Sequence, residues 1–258
     1  PDDMVGRNRL DRWVDGDSER LAAFLAEVSV THGRVVGPIE LIVETAERRS
    51  TLECVGSNLM DDPAIAGLAL NFRDVTERKA LEEQLRKLAF HDPLTLLANR
   101  SLFWNRVEHA LTLAQRSQQR VAVMFLDLDN FKNVNDSLGH DAGDRLLQAA
   151  AQRLVKSTRP SDTVARLGGD EFAILLEGIR SDMDVERIAV PITEAFNRPL
   201  LVDGRETDAT ASIGAACSQP GDDAEQLLRK ADIAMYNAKS AGKARCVLFQ
   251  PHMQELLH

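Results

Sequence analysis

The chain has 258 residues, and its formal net charge of −9 and pI near 5.2 argue against broad nucleic-acid binding, which needs a large basic surface. No apolar run approaches the roughly 18 residues of a membrane span and no signal peptide opens the chain, so a cytoplasmic protein without a membrane segment is expected. The cysteines, Cys54, Cys217 and Cys246, lack metal-ligand spacing and indicate reduced core thiols.

The N-terminal region predicts helix followed by strands. Apolar residues recur between polar ones over residues 6–30, which favours one or two short amphipathic helices. They are Leu10, Trp13, Leu21, Phe24, Leu25 and Val28. Residues 37–48, 50–59 and 66–74 alternate apolar and polar side chains and predict three antiparallel strands.

Residues 74–90 predict a linker helix rich in Glu, Lys, Arg and Leu. Val75, Leu81, Leu85 and Leu88 have nearly the spacing of a helical seam. Because one short heptad-like stretch is weak evidence, two interpretations stay open. The helix forms either a parallel dimeric coiled coil or a solvated linker.

A strand followed by acids comes next. Val121, Val123 and Phe125 share one face of the predicted strand with Asp127 and Asp129. Two carboxylates at the end of a buried strand are costly unless a cation meets them. A short helix is predicted over residues 131–136. Its N-terminus would present free backbone N–H groups to phosphates.

A Gly-Gly turn carries two further acids, Asp170 and Glu171. Gly168 and Gly169 are predicted to supply positive φ at both central positions of a tight hairpin turn, and residues 172–176 predict a buried strand. In isolation, the alternative is a surface turn with two solvated acids. Helices are also predicted to open at Asp144 and to run from near Asp222 to Lys239.

These blocks, with Asp92-Pro-Leu-Thr95, Asn99-Arg100 and Ser212-Ile-Gly214, resemble the GGDEF family of diguanylate cyclases. The resemblance extends from His91 to Phe249. It implies an α/β domain over residues 91–250, with a palm-like βαββαβ core, a central mostly antiparallel sheet and flanking helices. It also implies that a homodimer condenses two GTP into cyclic di-GMP. The alternative is a non-catalytic receptor for GTP or cyclic di-GMP.

The resemblance also implies roles for individual residues. Catalysis falls to Asp127, Asp170 and Glu171, which with the Leu128 carbonyl would bind Mg²⁺, or alternatively Mn²⁺. The 3′-hydroxyl proton would pass to a metal-bound hydroxide or to an acid such as Asp170. Asn135 and Asp144 would read guanine, whose N1–H and amine a carboxylate can accept and adenine does not offer. The other substrate contacts would be Gly169, Asn130, Phe131, Lys132, Lys239 and Lys243.

An inhibitory site for the product is implied at Arg159 and Asp162, which match the family's Arg-x-x-Asp motif. Two positions depart from the family. Leu96 stands where glycine is usual, which costs about 1 kcal/mol if positive φ is required. Lys243 stands where arginine is usual, so the charge is kept while the bidentate fork is lost.

The two ends suggest a longer parent protein. Residues 1–73, ending in Asn71-Phe72-Arg73, resemble the C-terminal half of a PAS domain, so a partial sensor module is expected; a dimerisation or folding module is the alternative. Residues 251–258 resemble the junction leading to an EAL domain. The parent is therefore expected to be a PAS-GGDEF-EAL protein, although this chain contains no Glu-Ala-Leu motif.

Overall fold

The structure, a computed structural model, describes residues 17–44, 48–117, 119–202 and 205–257. The chain divides into two compact units, Pro1–Arg86 and Lys87–His258. The predicted apolar positions Leu10 and Trp13 lie outside the described residues.

The N-terminal unit packs a helix on a three-stranded sheet. Helix α1 (Asp17–Val30) precedes strands β1 (Val35–Glu44), β2 (Arg49–Leu59) and β3 (Gly67–Asp74). The strands are antiparallel in the order β1-β2-β3, as predicted. Apolar side chains of α1 and the sheet form its core, and these are Leu21, Phe24, Val28, Val36, Leu41 and Cys54. The assignment of this unit to a partial PAS module stays a prediction.

Helix α2 (Thr76–Phe90) follows β3, and the division between the units falls within it. None of its residues is buried. Leu81, Leu85 and Leu88 are 53%, 65% and 65% exposed, so three leucines of the predicted seam lie open on its surface. The assignment of residues 74–90 as a linker stays a prediction.

The C-terminal unit is built on a five-stranded sheet of order β10-β9-β4-β6-β5. The strands are β4 (Arg120–Leu128), β5 (Thr163–Gly168), β6 (Glu171–Ile179), β9 (Ala211–Cys217) and β10 (Cys246–Leu248). Only the β9–β10 pair is parallel. The predicted mixed α/β fold with a mostly antiparallel central sheet is therefore confirmed.

Helices flank this sheet. They are α3 (Arg100–Ser117), α4 (Phe131–Leu138), α5 (His140–Ser157), α6 (Asp182–Phe196) and α7 (Ala224–Ser240). A small hairpin of β7 (Leu200–Val202) and β8 (Arg205–Thr207) and a 3-10 helix (Pro251–Leu257) were not predicted. Within the ranges that the structure describes, no helix combines the length and apolar character needed to span a membrane.

Strand β4 decides which side of the sheet carries the candidate site. Alternate residues such as Met124 and Leu126 pack with α5 and α6, whereas Val121 and Val123 pack with α3 and α7. Asp127 continues the second set. Its carboxylate therefore lies on the α3/α7 side of the sheet, just beyond the apolar core.

Two local predictions were wrong. Helix α5 begins at His140 and not at Asp144, because Gly139 with φ 85° separates it from α4. Gly168 belongs to β5 and pairs with Glu171, so the central turn residues are Gly169 and Asp170. Gly168 and Gly169 have φ values of 147° and 50°, which places the left-handed backbone at the strand end and at the first central position.

The cysteines are free thiols, as predicted; Cys54 is buried, and Cys217 and Cys246 are half-buried. Burial raises the pKa of Cys217 and of Cys246 to about 12. Both side chains are therefore expected to be neutral thiols at physiological pH.

Candidate active site

The site begins with two carboxylates on neighbouring strands. Asp127, near the end of β4, lies directly opposite Glu171, the first residue of β6. The Lys239 Nζ atom near the end of α7 is 2.6 Å from Asp127 Oδ2. Lys239 is thus the cation that an acid at the end of a buried strand requires.

Asp127 is a partly buried carboxylate with two acidic neighbours and one cationic neighbour. Burial raises the pKa of its carboxyl group, and the neighbouring Asp170 and Asp129 charges raise it further, while Lys239 offsets part of the increase. Removing protons from such a group is costly unless a cation replaces them. Asp127 therefore has the properties of a carboxylate that gains from a divalent metal.

Oxygen ligands for Mg²⁺ are present here in small number. Among the described residues, no group of three or more His, Cys, Asp or Glu side chains has metal-binding geometry. Mg²⁺ takes only one or two carboxylates in nucleotide sites and completes its shell with water and phosphate oxygens. The charge of Asp170 acts on Asp127, so these two carboxylates fit that requirement, and the Lys239 ammonium beside Asp127 shows that positive charge is accommodated there.

The turn that carries Asp170 is braced by Arg166. The Arg166 Nε and Nη2 atoms donate to the Gly169 carbonyl at 3.0 and 2.8 Å, and Nη1 donates to both oxygens of Asp92 at 3.1 Å. Thr95 donates to Asp92 through its amide and its hydroxyl. Burial raises the pKa of Asp92, but these Thr95 and Arg166 hydrogen bonds outweigh it and leave the pKa low. The brace is therefore ionic at neutral pH.

Glu171 borders a cavity of about 440 Å³ between α3 and α7. Arg100 Nη2 lies 3.8 Å from Glu171 Oε2, and both side chains are well exposed, so this ion pair is weak. Aromatic side chains of Phe103, Trp104 and Phe125 line the cavity. This cavity was not predicted from the sequence.

The expected phosphate region lies where two loops meet. Asn130 precedes α4 with φ 62°, and its side chain does not cap the helix. Lys243, also at φ 62°, donates from Nζ to Asn130 Oδ1 at 2.9 Å. The structure therefore brings Lys243 to the N-terminus of α4, beside the backbone of Phe131 and Lys132, the region expected to hold phosphates.

The expected guanine readers lie on adjacent helices. Asn135 is half-buried on α4, and Asp144 is exposed on α5. Gly143 permits close contact between the two helices, because a Cβ atom at this position would lie 1.9 Å from Asn135 Oδ1. The Asn135 side chain can therefore occupy its position only because residue 143 is a glycine and has no Cβ atom.

Arg159 and Asp162 form the turn between α5 and β5. The Arg159 backbone N–H donates to Asp162 Oδ2 at 3.0 Å, and the Asp162 N–H donates to the Arg159 carbonyl at 2.9 Å. Burial raises the pKa of Asp162, although the Arg159 hydrogen bond and charge offset part of this. A cavity of about 290 Å³ is lined by both residues and by Arg187.

The connecting role of Asp129 was not predicted from the sequence. This carboxylate is only 5% exposed and accepts hydrogen bonds from Thr210, Ser212 and the backbone of Ala244. Its position at the end of a buried strand could be identified from the sequence, but its three hydrogen-bond donors lie more than 80 residues away in the chain.

Several known proteins are similar to this chain. The family model "Diguanylate cyclase, GGDEF domain" matches residues 89–245, which is more than half of the chain. The bifunctional diguanylate cyclase/cyclic di-GMP phosphodiesterase MucR of Pseudomonas aeruginosa is 42% identical over 172 residues, which span 66% of this chain and 25% of MucR.

Two solved structures are similar over the same region. The GGDEF domain of TpbB from Pseudomonas aeruginosa is 41% identical with a TM-score of 0.63, covering 65% of this chain and 98% of that one. The coiled coil and GGDEF domain of DgcB from Caulobacter crescentus, in complex with cyclic di-GMP, is 29% identical with a TM-score of 0.60, covering 67% and 93%. The chain belongs to the GGDEF family of diguanylate cyclase domains.

Proposed function

We propose that this chain condenses two GTP molecules into cyclic di-GMP and releases two pyrophosphates. The observation that carries the proposal is the pairing of Asp127 with Glu171 across β4 and β6, beside the turn of Asp170 and within reach of Lys239. Acids on two strands and a cation on α7 suit a reaction that gathers several phosphate charges at one point.

In each half of the reaction, a 3′-oxygen forms a bond to the α-phosphorus of the other GTP, the bond to pyrophosphate breaks, and the hydroxyl proton leaves. Held by Asp127, Asp170, Glu171 and the Leu128 carbonyl, Mg²⁺ or Mn²⁺ would neutralise phosphate charge. Asp170 is the candidate proton acceptor among the side chains of this chain. Lys239 would exchange Asp127 for a phosphate when substrate binds.

Binding of the triphosphate would use the two loops that meet at α4. The backbone N–H groups of Asn130, Phe131 and Lys132 and the ammonium of Lys243 offer donors to the β- and γ-phosphates. Gly169, which lacks a side chain at the turn, would allow the nucleotide to approach the backbone. At the other end, Asn135 and Asp144 would select guanine.

A homodimer is part of the proposal, because each active site must receive a second nucleotide face to face. The exposed leucines of α2 provide a candidate seam, and the similar DgcB structure contains a coiled coil. Product inhibition would operate at Arg159 and Asp162, where a bound cyclic di-GMP would hold domains in unproductive orientations. A partial PAS sensor in residues 1–73, an EAL-containing parent and a cytoplasmic location complete the proposal.

The cyclase proposal is tested by incubating the purified chain with GTP and Mg²⁺ and separating cyclic di-GMP and pyrophosphate by chromatography. Asp170→Ala should abolish product, whereas Glu177→Ala, which removes an exposed acid elsewhere on β6, should not. Arg159→Ala should prolong the progress curve by relieving product inhibition. Arg116→Ala, an exposed arginine on α3, is its matched control.

The alternative, a non-catalytic receptor, is not favoured by the comparisons, because the family model and the MucR name both describe cyclases. The same experiment separates the two. Measurable GTP or cyclic di-GMP binding without any product, at every protein concentration and with Mn²⁺ as well as Mg²⁺, would reject the cyclase in favour of the receptor.

A further inference from the structure

Asp129 connects three separate segments of the domain. Its Oδ2 atom accepts from Thr210 Oγ1 at 2.7 Å and from the Ala244 N–H at 3.1 Å, and its Oδ1 atom accepts from Ser212 Oγ at 2.7 Å. Its own N–H donates to the Thr210 carbonyl at 2.8 Å. One side chain thus joins the end of β4, the start of β9 and the loop between α7 and β10.

These contacts differ from those of Asp127, two residues earlier. Asp127 is paired with an ammonium on the side of the candidate metal site, whereas the donors to Asp129 are hydroxyl and amide groups. A buried carboxylate is stable when such donors satisfy its lone pairs. Asp129 is therefore a buried carboxylate whose hydrogen-bond donors are hydroxyl and amide groups of the protein itself.

The loop that Asp129 holds is the one that carries Lys243. Lys243 and Ala244 are consecutive residues with φ values of 62° and 50°. Two adjacent non-glycine residues in the left-handed region are strained, and such strain persists only where neighbouring contacts impose it. The Ala244 hydrogen bond to Asp129 and the Lys243 hydrogen bond to Asn130 are contacts of this kind.

We propose that Asp129 is a positioning residue that locks the Lys243 loop onto the N-terminus of α4, so that the ammonium and the helix N–H groups face the same phosphates. This inference rests on the proposed function of the site. It assigns Asp129 no contact with metal or substrate.

An isosteric replacement distinguishes the positioning of the loop by hydrogen bonds from a direct effect of the negative charge of Asp129. In Asp129→Asn, the remaining amide oxygen can still accept from Thr210 and Ala244, and the new NH₂ group can donate to Ser212, because a serine hydroxyl also accepts. The hydrogen bonds that hold the loop are thus kept while the negative charge is removed. Asp129→Ala instead leaves all three donors unpaired.

The experiment measures kcat and KM for GTP in these variants, together with thermal stability. Asp129→Asn should stay within about threefold of wild type in both constants, whereas Asp129→Ala should raise KM about tenfold or more. Thr210→Val, which removes one donor, should raise KM about threefold and guards against failure of the alanine variant to fold. Asp127→Asn, which removes the negative charge of a candidate metal ligand, should instead lose about 100-fold or more in kcat.

A double-mutant cycle tests whether Asp129 acts through Lys243. The loss in GTP affinity from Asp129→Ala should shrink to near zero once Lys243 is alanine, but should be fully additive with Asp144→Ala in the guanine site. GTP titrations in the Asp170→Ala background, which cannot turn over, give the same quantities without catalysis.

Three outcomes would overturn the proposal: loss of kcat in Asp129→Asn comparable with Asp127→Asn, an unchanged KM in folded Asp129→Ala and Thr210→Val, or additivity with Lys243→Ala. Absence of product from the wild type would instead reject the cyclase, while the GTP titrations would still report on the lock.

Discussion

Gly143 allows the assignment of Asn135 to be tested with a single methyl group. In Gly143→Ala, the new Cβ would lie 1.9 Å from Asn135 Oδ1, 3.0 Å from its Cγ and 3.2 Å from Phe131 Cζ. To reach an ordinary van der Waals separation, the Asn135 amide must move by about 1.5 Å. Because that amide is the end of a flexible side chain, the fold can absorb the change.

If Asn135 binds guanine, however, this displacement of its amide should impair GTP binding. Hydrogen bonds tolerate a range of only about 0.5 Å in donor–acceptor distance, so a displacement of this size breaks the contact. Leaving a guanine group unpaired costs about 1–3 kcal/mol, and we expect KM for GTP to rise about tenfold. Alanine is the better helix former by about 1 kcal/mol, so stability should change little.

The assay is steady-state synthesis of cyclic di-GMP over a range of GTP concentrations, with chemical denaturation as the measure of folding. Asn135→Ala should raise KM similarly, and adding Gly143→Ala to it should cost nothing more, because the clashing atom is gone. An unchanged KM in Gly143→Ala, beside a raised KM in Asn135→Ala, would refute this reasoning.

Three further predictions concern backbone strain, packing and protonation. Leu96→Gly should stabilise the fold by up to about 1 kcal/mol in urea unfolding, because Leu96 has φ 61° and is 76% exposed. Gly214→Ala should destabilise it by about 3 kcal/mol or more, because the added Cβ would lie 1.9 Å from a backbone nitrogen of α7. Since the pKa of Asp127 without bound metal is raised, kcat/KM at low Mg²⁺ should fall on acidification at a higher pH than for an ordinary aspartate; a pH–rate profile checks this.

The regular elements could be predicted because they follow from local pattern. Alternation along β1 to β3 and β4, and the apolar stripe of α7, each depend on neighbours within a few residues. Leu96 is a local case too. It stands where the family usually has glycine, which suggested a positive φ, and the structure has φ 61° at this residue. The Gly-Gly turn was placed one residue too early, because the strand register depends on pairing with β6.

The contacts within the site were harder to predict, since they join distant segments. The partners of Asp129 are Thr210, Ser212 and Ala244, and no spacing rule links them. The pairing of Lys239 with Asp127 was anticipated only as the need for some cation. The residue types at the site could thus be identified from the sequence, whereas the residues that they contact could be identified only from the structure.

The brace formed by Arg166 sets a lower limit on the length of a working catalytic fragment. Asp92, its partner, lies ahead of every strand of the sheet, yet it helps to hold the turn that carries Asp170. A protein shortened to begin after Asp92 would keep all the proposed substrate contacts but would leave the Arg166 guanidinium, in a side chain only 12% exposed, without its counterion. Expression of the isolated domain should therefore start upstream of Asp92, and fragments that begin a few residues later should fold poorly or hold the Asp170 turn loosely.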